Sequence, residues 1–90
     1  MFTVYILRTS GNTLYIGQTN NLEKRLKQHH SKNSSAAKYM RLFSSFQLVH
    51  TEIFSTRSEA MKREIELKKW PKKRKETFIS KAQYELTIDT

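Results

Sequence analysis

A chain of 90 residues leaves room for one domain with one modest core, since at this size roughly 60–70% of the unfolded chain's surface is buried on folding. Lys and Arg number 17 against 8 Asp and Glu, giving a net charge of +9, while 37% of the residues are apolar and the aromatics are Phe 5, Tyr 4 and Trp 1. This excludes a disordered basic tail, and the absence of Cys excludes a disulfide scaffold, a thiolate zinc site and a thiol nucleophile.

No stretch approaches the roughly 18 apolar residues of a membrane span, and no signal-peptide pattern opens the chain. A cytoplasmic, monomeric domain with no membrane partner is therefore expected. Its charge points to a polyanion, nucleic acid first.

Phe2 to Arg8 and Thr13 to Gln18 alternate in polarity and are rich in strand formers. Between them Thr9-Ser10-Gly11-Asn12 carries turn residues, with Gly11 the natural site for a positive φ. Alternation puts Phe2, Val4 and Ile6 on one face and Thr3, Tyr5 and Leu7 on the other; Leu14 and Ile16 lie opposite Thr13, Tyr15 and Gly17. If the aliphatic sets coincide, Tyr5 and Tyr15 project together from the other side.

Asn20, three residues before Glu23, makes a variant capping box for a helix running to about His30. Leu22 and Leu26 form its buried seam, with Arg25 and His29 one turn apart beside it. Ser31 to Ala37 reads as a polar loop and Ala37 to Leu42 as a short helical piece. Phe46 to Phe54 is a third strand, apolar enough for the middle of a sheet. Thr56-Arg57-Ser58-Glu59 is a full capping box for a helix ending near Trp70, where Pro71 intervenes. A shorter helix is expected over Lys72 to Ile79, with 83–90 as a C-terminal tail.

The helix after Thr56 holds an anomaly. At about 100° per residue, Ala60, Met61, Ile65 and Leu67 define an inward stripe, and Glu64 falls near its middle. An inward carboxylate is costly unless paired or bound to a cation. Arg57 and Lys68 are available partners for an ion pair; the alternative is an acid at the edge of a cleft, where hard cations prefer oxygen ligands. Basic residues cluster nearby: residues 57–81 hold ten of the seventeen, six of them within Lys68 to Lys75. Such a run is either a solvated helix end or a phosphate-contacting patch.

Taken in order, Thr3-Val4-Tyr5, Tyr15-Ile16-Gly17, Arg25 and His29 on a capped helix, and Glu64 in Ser58-Glu59-Ala60-Met61-Lys62-Arg63-Glu64 resemble the GIY-YIG nuclease superfamily. The likeness spans about residues 1–79 and is to the small stand-alone bacterial members rather than to the excision-repair or homing enzymes. It implies an α+β fold, a three-stranded antiparallel sheet flanked by helices, over a single domain of residues 1–82. The implied activity is metal-dependent endonucleolytic hydrolysis of DNA more than RNA, structure- or single-strand-directed, with one Mg²⁺ or Mn²⁺ at Glu64. By the same resemblance Tyr5 is the general base, Tyr15 aligns water or phosphate, Arg25 clamps the phosphate, and His29 shuttles a proton or contacts phosphate. Gly17 lets the backbone pass close to the cleft, while Lys38, Tyr39, Lys72, Lys73 and Arg74 contact the substrate strand. Two departures stand out: Thr3-Val4 replaces Gly-Ile, and the Lys-rich segment past Pro71 lacks the Asn that many family nucleases carry after the Glu helix. A non-catalytic nucleic-acid-binding module that retains the fold is the competing expectation, and a protein-interaction domain a third.

Overall fold

The computed structural model describes the backbone of residues 1–31 and 45–88, and the side chains of 1–28 and 45–82. In chain order the elements are β1 (Phe2–Thr9), β2 (Leu14–Thr19), α1 (Leu22–Ser31), β3 (Phe46–Phe54), α2 (Arg57–Lys69) and α3 (Lys72–Ile88). The strands form one antiparallel sheet in the order β2-β1-β3, so the architecture is the expected α+β one. Lys38, Tyr39 and the helical piece expected over 37–42 lie outside the described residues.

β1 is central because it has fully buried apolar residues on both faces. Val4, Ile6, Tyr5 and Leu7 are all fully buried. Val4 and Ile6 join Ile16, Ala60, Leu67 and Ile79 in the core beneath α2 and α3; Tyr5 and Leu7 pack on the opposite face with Tyr15, Leu22, Leu26 and Phe46. The middle position expected for β3 is therefore corrected: it is an edge strand, with Leu48 and Ile53 exposed. A bulge at Val49, where Ile6 pairs with His50 but Leu7 with Leu48, turns His50, Glu52 and Phe54 toward the α2/α3 layer.

The hairpin turn also differs in detail. Asn12, not Gly11, adopts the left-handed conformation, at φ 62°. Its carboxamide tolerates that region, and it is fixed there by its N–H donating to Thr9 O at 2.9 Å and by Arg8 donating to Oδ1 at 3.0 Å. The α1 cap falls one residue later than expected. Asn21 Oδ1 accepts from Lys24 N at 3.1 Å, while Thr19 Oγ1 accepts from Asn21 N, so the strand end itself sets where the helix begins. The Thr56 cap stands as read, accepting from Glu59 N at 3.2 Å, and α2 stops before Pro71.

Two further expectations are corrected. α3 runs to Ile88 instead of ending near Ile79, because Ser80 to Leu86 contains good helix formers and neither Gly nor Pro. On α2, Met61 and Ile65 are 40% and 47% exposed. The buried stripe is Ala60, Arg63, Glu64 and Leu67, an i, i+3, i+4, i+7 set whose middle is a charge pair's worth of polar side chain rather than two aliphatics. α3 docks at the turn end of the hairpin: Arg8 grips Glu76 with two bonds of 2.7 and 2.5 Å, and Lys72 Nζ donates to Asn12 O.

Candidate functional site

Register builds the site. Tyr5 pairs with Gly17 and Leu7 with Tyr15, which brings both phenols to the α1 face of the hairpin, as alternation predicts. Their ring centroids are 6.3 Å apart, tilted by 36°. Gly17 has a specific task here: a Cβ on it would stand 2.6 Å from Tyr5 Oη and 2.8 Å from Cζ. The missing side chain is what lets the Tyr5 ring lie across β2.

Tyr5 is fully buried, whereas Tyr15 is half-buried. Burial, first, pushes the Tyr5 phenol well above its ordinary value; its hydrogen bond with Tyr15 and the Glu64 charge push the same way, and the Arg25 guanidinium opposes them. The same balance reports geometry. Arg25 of α1 and Glu64 of α2 both lie near enough to act on one phenol, so residues from four elements converge on it.

Glu64 has a side-chain exposure of 19%, and its one ion pair among the described residues is to Lys68 at 3.7 Å. That is too long for a hydrogen bond. Of the two partners considered for Glu64, Arg57 is not taken up; it faces a pocket instead, of about 310 Å³, lined with Phe2, Gln18, Thr19, Asn20 and Arg25. Sequence reasoning named Arg57 only as a possible partner of Glu64. The overlooked signal was an arginine in the first turn of a helix, against the direction the helix dipole favours.

The remaining expected residues fall elsewhere. The His29 side chain is outside those described, its backbone lying in the last turn of α1. Lys72 is tied to Asn12, five residues up β2's strand direction from Gly17, roughly 17 Å at strand rise. Arg74 stacks on Trp70 at 4.0 Å. Lys72 thus sits at the turn end of the hairpin, apart from the phenols, while Lys68 at the start of the basic run pairs with Glu64.

No group of three His, Cys, Asp or Glu that could hold a metal occurs among the described residues. Among the described residues, the carboxylate that acts on the Tyr5 phenol is Glu64. That carboxylate suits a hard, hydrated cation such as Mg²⁺, which takes one or two carboxylates and completes its shell with water and substrate phosphate, and does not suit an all-protein cage. No helix among the described residues is long and apolar enough to cross a membrane.

The chain and its fold have counterparts among known proteins. A family model for the GIY-YIG catalytic domain matches residues 1–77. A UPF0213 protein of Bacillus pumilus is 38% identical over 81 residues, covering 90% of this chain and 81% of the relative. One of Clostridium perfringens is 44% identical over 77 residues, covering 86% and 81%. The solution NMR structure of the UPF0213 protein of Bacillus halodurans superposes with a TM-score of 0.58 at 35% identity, covering 89% of this chain and 84% of that one.

Proposed function

Because this chain belongs to the GIY-YIG catalytic-domain family, a nuclease superfamily, we propose that it hydrolyses phosphodiester bonds in DNA, single-stranded or branched, with one Mg²⁺ or Mn²⁺ held at Glu64. The observation that carries this reading is the half-buried, loosely paired Glu64 within electrostatic reach of Tyr5, on which Arg25 also acts. An inward carboxylate without a close cation is a cost that a bound metal removes. When bound, the metal supplies charge neutralisation at the scissile phosphate and its leaving oxygen.

The chain's own residues divide the remaining work. Arg25, charged at any working pH and planar, binds two phosphate oxygens and orients the group. Tyr5 keeps its proton, because burial disfavours its phenolate. It therefore donates to the Tyr15 oxygen and holds that ring in place. Tyr15, the phenol that solvent reaches, is the one we assign to the attacking water, in place of the Tyr5 assignment that family likeness suggests. Lys72, Lys73 and Arg74 add salt-dependent affinity at the turn end, and none of the residues named here reads base edges.

The test is a divalent-metal titration with labelled single-stranded and forked DNA. Metal-dependent nicking that EDTA stops and Glu64→Gln lowers by about 10²–10³-fold supports the reading. Cleavage undiminished in Glu64→Gln sinks it. Salt-sensitive DNA binding with no product at any metal concentration supports instead a binding module that has kept the fold, the reading favoured by the missing downstream Asn.

A further inference from the structure

The pocket beyond the phenols gathers two guanidiniums. Arg25 from α1 and Arg57 from α2 line it together, with Gln18, Thr19 and Asn20 from the end of β2 and Phe2 from the start of β1. Arg25 is half-buried and Arg57 exposed, and neither pairs with a carboxylate among the described residues. Two like charges lining one concavity repel each other, and an anion seated between them turns that repulsion into attraction. The rest of the lining suits a phosphate carrying a nucleoside. The Gln18 and Asn20 carboxamides offer N–H donors, and Phe2 supplies an apolar wall against which a sugar or base can pack. At about 310 Å³ the pocket is at the small end of ligand sites and holds about one nucleotide.

We propose that this pocket is a nucleotide subsite in which Arg25 and Arg57 grip a phosphate flanking the cleavage point. It deepens the nuclease reading and rests on it for the nucleic-acid source of the phosphate. Arg25 is shared between the subsite and the tyrosine centre, so a strand held at Arg57 is delivered to Tyr15 and Glu64. Arg57 lies seven residues before Glu64 on α2, two helical turns or about 10 Å away and on the same face. Arg57 is thus a positioning residue, setting where along a strand the cut falls.

The test needs neither metal nor cleavage. Arginine Nε resonances of the ¹⁵N-labelled full chain are followed as thymidine 5′-monophosphate is added, with the dinucleoside monophosphate, which carries only a diester, as a second arm. Arg25 and Arg57 are expected to shift together and saturate, while Arg74, stacked on Trp70, stays in place. Arg57→Ala should weaken binding about tenfold or more, and Arg57→Lys should restore part of it, as expected for loss of charge-assisted bonds to phosphate. Tighter binding of the monoester identifies a terminal phosphate as the ligand; tighter binding of the diester, an internal one. Shifts at Arg25 without Arg57, unchanged affinity in Arg57→Ala, or unsaturable shifts across all basic residues would overturn the subsite. If it binds as expected and no metal yields product, the subsite stands and the hydrolytic reading fails alone.

Discussion

Arg63 and Glu64 are neighbours on α2, both half-buried, and they face opposite fates. Arg63 turns toward β3, where its Nε and Nη2 donate to the two Glu52 oxygens at 2.8 and 3.1 Å; His50 Nε2 lies 2.8 Å from the same carboxylate. Trp70 and Phe78 close over the guanidinium at 5.4 and 5.6 Å. Glu64 turns the other way, toward Tyr5, and its one ion pair among the described residues is to Lys68 at 3.7 Å. Glu52 and Glu64 are almost equally buried, at 21% and 19% side-chain exposure. What separates them is saturation. The β3 side engages both Glu52 oxygens from its own chain and is a structural clamp, whereas the β2 side keeps its acid and its Arg25 and Arg57 guanidiniums available for something brought from outside.

The sharpest way to break this contrast is substitution at the two acids. Glu64→Gln should lower metal-dependent cleavage by about 10²–10³-fold, the scale for losing one charge-stabilising group, with a change in stability within about 0.5 kcal/mol. Arg63→Ala should do the reverse, destabilising by about 1–3 kcal/mol in urea titrations by orphaning Glu52 while leaving activity per folded molecule unchanged. Equal destabilisation by both variants would abolish the distinction drawn between the two sides.

Gly17→Ala probes the β2 side from the backbone. The added Cβ meets a ring that cannot retreat, since Tyr5 is fully buried. A loss of about 1–3 kcal/mol is expected, together with a changed Tyr5 environment in aromatic NMR spectra. A neutral Gly17→Ala with unmoved Tyr5 resonances would show that the ring does not depend on the glycine.

pH separates the two sides by smaller amounts. Burial alone would raise the Glu52 carboxyl, but the Arg63 and His50 hydrogen bonds outweigh it and hold the group below its ordinary value. A depressed folded value means that stability is present above the unfolded pKa of about 4.5 and is lost as pH falls through the folded one. Tyr5 has the opposite sign: its raised folded value means that stability is present below about pH 10 and declines as pH rises beyond it. Urea midpoints against pH should therefore lose part of their acid limb in Arg63→Ala, the Glu76 carboxyl beside Arg8 keeping the rest, and flatten at the alkaline limb in Tyr5→Phe. An alkaline limb unaltered by Tyr5→Phe would remove the argument that Tyr5 retains its proton.

Much of this was legible in the residues. Alternation over Phe2–Thr9 and Leu14–Thr19 predicts two phenols on one face, and the register delivers them there. Capping at Thr56 and the proline after Trp70 bound α2 correctly. The legible part is local, because a side-chain period or a cap depends on neighbours within a few residues. Where the reading missed, a distant partner decided: Met61 and Ile65 look inward by hydropathy, yet Glu52, eleven residues before Arg63, draws the arginine into the stripe instead. β3 looks central by composition, but β1 is the strand that has apolar residues on both faces to bury.

The amino-acid order by itself determined which residue types exist to do chemistry and which face of a strand or helix each occupies, because those follow from the 2.0 and 3.6 periods of the backbone. Only the tertiary structure decided which carboxylate is saturated and which is open, which phenol is dry and which is wet, and that Arg57 shares a pocket with Arg25. Solvation and pairing are properties of the space between elements. That space is set by packing, which no local pattern encodes.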